Sequence, residues 1–472
     1  MISTDPSQLL FAFCGYFLCV GIIGFVAFRT TTDVAGFLLG GRRLSRRVTA
    51  LSAGASDMSG WLLLGLPGLA YVSLFESIWV AVGLTLGTYL NWLFIAKPLR
   101  VQTERYDNAL TIPEYLQRRF NDPTHLLRAV AALSMVLFFI FYTVAGFVAG
   151  GKLFAAAFAI DYSHAVILCA TLVATYASFG GFKAVAWTDA FQAGLMLFAL
   201  LLVAALAINA TGVSLVAEFA VSDDPFNSTP AIVVVSSLAW GLGYFGQPHI
   251  LTRFMAITNS EDLVGSRKFA MRWTVLGLIC AITLGHLGTR VLGSALPADE
   301  SEKVFIYLTQ QLLYPGLAGV CLAGILAAIM STADSQILVA SAALTHDLLG
   351  KVLTGQANKL YWHRVTVALV CGVAAAMAIG PGQLVFSIVA YAWAGFGASL
   401  GPCIIMSLYS TNTSRWGALT GIIVGAVCVV IWESQDGGIF DVYSLLPGFC
   451  LSFASIALVN RCFPFQPVRT DT

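Results

Sequence analysis

The sequence predicts an all-α integral membrane protein of about thirteen transmembrane helices, and three observations carry that prediction. Of its 472 residues, 58% are hydrophobic and only 10% are charged, whereas soluble domains carry about 25% charged residues. Apolar runs of roughly 20 residues, long enough to cross a bilayer, recur with short polar gaps. The basic residues collect in alternate gaps, the asymmetry expected of a chain that crosses a membrane many times.

Spans are expected near 9–28, 48–72, 78–97, 128–157, 163–180, 187–211, 231–251, 271–295, 315–346, 361–380, 383–409, 415–434 and 442–460. With these spans, 22 of the 25 Lys and Arg residues fall on one side, among them Arg42, Arg100, Arg253, Lys351 and Arg469; Lys152, Arg290 and Lys303 fall on the other. Positive loops mark the cytoplasmic side, so the N-terminus is expected outside and the C-terminus inside. The start of the chain has Asp5 and no basic residue, unlike a cleaved signal peptide, so the first span is expected to be retained. An acidic loop over 212–230, with Glu218, Asp223 and Asp224, is expected outside. In the stretch 98–127, Pro113 is expected to open a short helix. The chain reads as one domain, 1–472, in contact with membrane lipid.

Several function classes are excluded. A net charge of +1 gives no reason to expect nucleic-acid binding. The ten cysteines lie mostly inside apolar runs without metal spacing, and the six histidines form no cluster. No phosphate-cradling loop is present, so any work is driven by an ion gradient rather than a nucleotide. No cofactor is expected.

Three spans carry small and polar residues where lipid demands apolar ones. The second reads Gly54-Ala55-Ser56-Asp57-Met58-Ser59-Gly60 at its centre; the seventh has Gly241, Gly243, Gly246 and Pro248 within eight residues; the ninth holds Ser331, Thr332, Asp334 and Ser335. Such runs often mark close helix packing. They also mark unwound backbone, which survives in a membrane only beside protein or a cavity. Asp57 favours the second reading, because a mid-membrane carboxylate costs about 3 kcal/mol or more and usually marks an ion or proton path. A sodium ion needs several oxygens. Ala328, Ser331 and Thr332, at i, i+3 and i+4, present a carbonyl and two hydroxyls on one helix face, and a break in the second span frees further carbonyls. The interrupted second and seventh spans lie five apart, as in two five-helix halves repeated with inverted topology, whose broken helices meet at the midplane.

The strings LSAGASDMSGWLLLGLPG (51–68), WTDAFQA (187–193), WGLGYFGQPHILTRFM (240–255), ILAAIMST (325–332), YAWAGFGASLGP (391–402) and LLGGRRL (38–44) resemble the sodium/proline symporters of the solute:sodium symporter family. The resemblance covers nearly all the chain. It implies a leucine-transporter-like core of five-plus-five inverted repeats, here roughly 45–410, with peripheral helices at 9–28, 415–434 and 442–460. It implies a secondary active transporter of a bacterial inner membrane that imports L-proline with sodium by alternating access, and no enzyme activity. By similarity, sodium is held by backbone oxygens of Ala55, Met58 and Ala328 and the hydroxyls of Ser331 and Thr332. Asp57 assists from the same unwound segment, and Asp189 lies on the ion's inward path. The residue-level alternative for Asp189 is a charge at a helix N-terminus, favoured by the dipole.

For the substrate the resemblance points to Ser59, Gly60, Trp61, Tyr142, Trp240, Tyr244 and Pro248. Proline suits them, since its compact ring can be buried by aromatic walls while its charged ends need dipoles at helix breaks. Other cargoes of the same fold, such as pantothenate, a monocarboxylate or another amino acid, remain open. Asp334 departs from the pattern of the enteric proline carriers, and oligomeric state is not encoded in any recognisable motif.

Overall fold

The computed structural model describes residues 6–29, 34–178, 181–212, 229–293, 296–350, 356–380 and 382–464. Glu218, Asp223 and Asp224 of the acidic loop, with Lys351 and Arg469 of the charge pattern, lie outside the described residues. The chain begins with α1 (Pro6–Phe28), a short α2 (Val34–Leu39) and α3 (Arg46–Asp57). The second span resumes as a wide π-turn at Trp61–Gly65 and α4 (Leu66–Val72). Then come α5 (Leu74–Leu90) and α6 (Ala96–Arg105), joined by a π-segment, and the short α7 (Ile112–Arg119). They are followed by α8 (Leu126–Phe158), α9 (Tyr162–Ala177) and α10 (Phe182–Thr211).

The seventh span is α11 (Ala231–Ala239), a 3-10 segment Trp240–Gly246 and α12 (Pro248–Ala256). The remainder is α13 (Asp262–Val291), α14 (Val304–Leu312), α15 (Pro315–Ala342), α16 (Gln356–Ala378), α17 (Val385–Tyr409), α18 (Arg415–Trp432) and α19 (Leu445–Cys462). Among the described residues ten helices are long and apolar enough to cross a membrane, and three shorter apolar helices, Trp61–Val72, Tyr162–Ala177 and Ala231–Gly246, fall at further expected spans. Among the described residues β-pairing is limited to one bridge, Leu44 to Ile257.

Two of the three expected interruptions are real. The second span leaves the helix at Met58 (φ −83°, ψ 73°), and the seventh at Gln247 (φ −80°, ψ 103°), where Pro248 lacks an amide hydrogen and opens the next helix. The ninth span is not broken: Pro315–Ala342 is one continuous α-helix. Its polar string 331–335 sits in an alanine-rich stretch with no glycine or proline, and the Ser331 hydroxyl bonds back to the Ala328 carbonyl at 3.1 Å. The interruption there is one of composition only.

α15 is the central pillar; all but a few residues at its start are buried. α3, α8 and α10 pack around it. Glycines let α5 meet the seventh span backbone to backbone. A Cβ on Gly83 would lie 2.7 Å from the Ser237 carbonyl oxygen, and one on Gly87 would strike the Gly241 backbone. This small-xxx-small contact brings α5 against the broken helix.

Both ends of the bundle are tied. At one, Arg42 donates to the carbonyls of Met255 (2.7 Å) and Ala109 (3.0 Å), and Arg100 to that of Ile257 (3.0 Å). α7 docks there as expected from Pro113, with the Thr111 hydroxyl accepting the Glu114 amide at 3.2 Å. Thr111 and Arg128 both bind Asp347, at 2.7 and 2.8 Å, tying α7 and α8 to the end of the ninth span. At the other end Lys152 pairs with Glu302 at 2.5 Å, and the same carboxylate accepts the Val385 and Phe386 amides at 2.9 Å each, capping α17.

Two outcomes are expected. Gly87→Val forces the two backbones apart and should cost about 1–3 kcal/mol or more, read as a lower thermal midpoint in detergent. Burial raises the Glu114 carboxyl, but hydrogen bonds from His346 and the Leu110 amide and the charge of Arg118 outweigh it and hold the group down at about 2. A depressed carboxyl stabilises above its unfolded value, roughly 4.3, and that stabilisation is lost as pH falls through the folded value. Limited proteolysis of α7 should therefore stay slow at mildly acidic pH and quicken only towards pH 2.

Candidate functional site

The site forms where the second span runs out of helix. The Met58 amide makes the last regular bond, to Gly54 O at 2.8 Å, and the Ser59 amide turns back to Asp57 O at 3.0 Å. In an unbroken helix the Ser59 amide would have gone to the Ala55 carbonyl. That carbonyl instead accepts the hydroxyls of Ser331 at 2.9 Å and Thr332 at 3.3 Å. With Ala328 O bonded to the same Ser331 hydroxyl, four of the five expected sodium oxygens are joined in one chain of hydrogen bonds. All are buried. Met58 is the residue at the break itself, also fully buried. Hydroxyl hydrogens rotate freely, so Ser331 and Thr332 can turn lone pairs toward a cation without moving the backbone.

Asp57 faces a different wall. Its Oδ2 accepts the Tyr244 hydroxyl at 2.7 Å, while its backbone carbonyl accepts the Trp61 indole at 3.1 Å and the Tyr142 hydroxyl at 3.5 Å. Three of the expected substrate residues therefore converge on one residue, from the second, fourth and seventh spans. Ser59 backs them, its hydroxyl 3.4 Å from the Trp61 amide. Gly60 is the close-approach position: a Cβ there would lie 2.8 Å from Ala149 Cβ. Trp240 stands one layer away, stacked on Tyr443 at 5.2 Å, and reaches the cluster through Trp393, which is edge-on to Tyr244 at 4.9 Å. Pro248 shapes the break at the first turn of α12.

Asp189 lies in the interior. α10 starts at Phe182, about one and a half turns earlier than the sequence suggested, so the alternative of a first-turn helix charge does not hold. Asp189 pairs with Arg253 at 3.0 Å, both side chains fully buried, and accepts the Ser52 hydroxyl at 2.6 Å. Arg253 also donates to Ser52 (3.1 Å), to the His249 carbonyl (2.8 Å) and to the Ser335 hydroxyl. Arg253, expected among the loop charges, is therefore an interior residue that joins α3, α10, α12 and α15 immediately below the break. Asp334 is buried with neither carboxylate oxygen bonded.

Sequence reasoning missed Arg253, Ser52, Trp393, Thr88 and Asn91. Trp393 stood in a string already noted, and Thr88 and Asn91 are polar residues in an apolar helix, the signal that such positions face the protein interior.

The fold is shared with known proteins. A Na+-coupled sialic acid symporter, solved in a substrate-bound outward-open state, superposes with a TM-score of 0.79 at 17% identity, over 97% of this chain and 98% of that one. That likeness defines the leucine-transporter-like fold. A sodium/proline symporter of Salmonella typhimurium is 43% identical over 467 residues, 96% of this chain and 92% of its own length. A high-affinity proline transporter of Bacillus subtilis is 41% identical over 450 residues, 93% of this chain and 95% of its own length. Residues 37–425 match the sodium:solute symporter family, and the chain belongs to that family. It is a multi-spanning membrane transporter and not an enzyme.

Removing one partner of the buried Asp189–Arg253 pair leaves an uncompensated charge, at a cost of about 3–5 kcal/mol. Arg253→Met should lower the thermal midpoint markedly, and adding Asp189→Asn should recover much of the loss.

Proposed function

We propose that the protein imports L-proline together with sodium by alternating access. The carrying observation is the shared Ala55 carbonyl: one oxygen freed by the helix break meets two hydroxyls of the ninth span. A cation placed there is liganded by both the broken helix and the central pillar. Sodium is cargo, and its ligands are Ala55, Met58 and Ala328 through backbone oxygens and Ser331 and Thr332 through hydroxyls. Every one of these ligands is neutral, so the ion keeps its net charge and can leave when the helices separate.

Proline occupies the space that Trp61, Tyr142 and Tyr244 enclose, with Ser59 and Gly60 at the break and Trp240 and Pro248 behind. The proline carriers among its relatives, at about 40% identity over nearly the whole chain, support this cargo. Sodium binding orders the break, and the ordered break builds one wall of the substrate site. Linkage requires proline to raise sodium affinity by the same factor. Asp189, held by Arg253 below the break, lies on the ion's way to the cytoplasm. The charge pattern supports thirteen spans with the N-terminus outside and the C-terminus inside, the bacterial relatives support an inner membrane, and the inverted-repeat core is near 45–410.

Labelled proline should accumulate in proteoliposomes only under an inward sodium gradient, and excess unlabelled proline should compete. Ser331→Ala with Thr332→Ala should remove the sodium dependence and most of the uptake. Accumulation without a gradient, or undiminished in the double variant, would contradict the coupling; failure of proline to compete would contradict the cargo.

A further inference from the structure

Asp57 is a buried carboxylate with half its hydrogen-bonding capacity unused. Oδ2 is bonded to Tyr244, whereas Oδ1 has no partner. Beside it lies a cavity of about 10 Å³, bounded by Asp57, Gly54, Thr88, Asn91, Tyr244 and Thr274. Thr88 Oγ1 and both ends of the Asn91 amide are buried there and also unpartnered. Four unsatisfied polar atoms on three side chains around one small space call for an occupant, because buried polar groups are hydrogen-bonded in nearly every folded protein.

The chemistry of the set identifies the occupant. Asp57 Oδ1, Thr88 Oγ1 and Asn91 Oδ1 are acceptors, and no lysine, arginine or histidine lines the cavity. A carboxylate at this depth stays ionised only beside a counter-charge. The sodium ligands do not place one there: they are the Ala55 carbonyl and the α15 hydroxyls, whereas the carboxylate turns toward α5 and the seventh span. The cargo is the remaining source of positive charge. The ammonium of an α-amino acid brings a cation and at least two N–H donors to those acceptors. The Asn91 amide, acceptor at one end and donor at the other, complements the adjoining ammonium and carboxylate. The cavity is water-sized, so it takes the nitrogen alone; the rest of the solute extends past Tyr244, which lines the cavity, toward Trp61 and Tyr142, which bond the Asp57 backbone carbonyl.

We propose that Asp57, with Thr88 and Asn91, is the receptor for the ammonium group of the transported solute and selects amino acids over monocarboxylates. This rests on the reading of the chain as a sodium-coupled importer. It gives Tyr244 a positioning part, since its hydroxyl fixes the carboxylate with the free oxygen turned into the cavity.

The test compares proline with tetrahydro-2-furoate and cyclopentanecarboxylate, rings of the same size that keep the carboxylate and lack the ammonium. In proteoliposomes of the full-length protein, either analogue should compete with labelled proline at least about a hundredfold less well than proline itself, as expected when a site built for a donor meets a ligand without it. Asp57→Asn should shrink that ratio to about tenfold or less, and Thr88→Val and Asn91→Leu should each shrink it several-fold. Stabilisation of each variant by sodium against heat confirms that it folds and keeps the Ala55–Ser331 site; where Asp57→Asn fails this control, the other two variants decide. A ratio unchanged in the variants that fold, or an analogue matching proline on the native protein, overturns the proposal. Absence of sodium-driven proline uptake by the native protein would instead overturn the import function on which it rests.

Discussion

A helix in lipid has no water to bond its backbone, so an unwound turn must be repaid by other protein groups or by a ligand. The three residues Met58–Gly60 impose that constraint on everything around them. Because the Ser59 amide turns back to Asp57, the Ala55 carbonyl is released toward Ser331 and Thr332. Trp61 and Tyr142 meanwhile bond the Asp57 carbonyl. One short break thus yields an ion-facing side and a solute-facing side. Coupling between two solutes needs such a shared element, since each can only bias what it contacts.

The charges inside the bundle follow from the same constraint. Asp189 and Arg253 are both fully buried and neutralise one another directly below the break, with Ser52 and Ser335 satisfying the remaining donors. Asp57 has no such partner, and its free oxygen opens on a cavity of neutral acceptors. One carboxylate is paired for good; the other waits for a cation that arrives with cargo. The ties at the two ends, Lys152–Glu302 on one and Arg42 with α7 on the other, lie far from the midplane and hold the conformation in which Trp61, Tyr142 and Tyr244 are out of solvent's reach.

Much of this was legible in the sequence. The break at Asp57–Gly60 and that before Pro248 announced themselves through glycine, proline and polar residues where lipid selects against them. The oxygens of Ala328, Ser331 and Thr332 followed from helical spacing. The ninth span misled, because its polar string reads, in composition, like a break, whereas the helix is continuous and the Ser331 hydroxyl bonds back to the Ala328 carbonyl. Arg253 was hidden by its position near a span end, where an arginine ordinarily marks a loop; only tertiary structure carries it inward to Asp189. Thr88 and Asn91 could be read as facing the interior, but not what they face. Their meaning depends on Gly83 and Gly87 drawing α5 onto the seventh span, a contact between segments about 150 residues apart.

Direct measurement of sodium binding tests the central claim, that the carbonyl freed at the break and the ninth-span hydroxyls form one cation site. A ligand that binds only the folded protein stabilises it by about 2.7 kcal/mol at a hundredfold excess over its dissociation constant. Replacing choline by sodium should raise the thermal midpoint of the native protein, and the rise should vanish in Ser331→Ala with Thr332→Ala. An equal sodium-induced rise in both proteins would contradict the account.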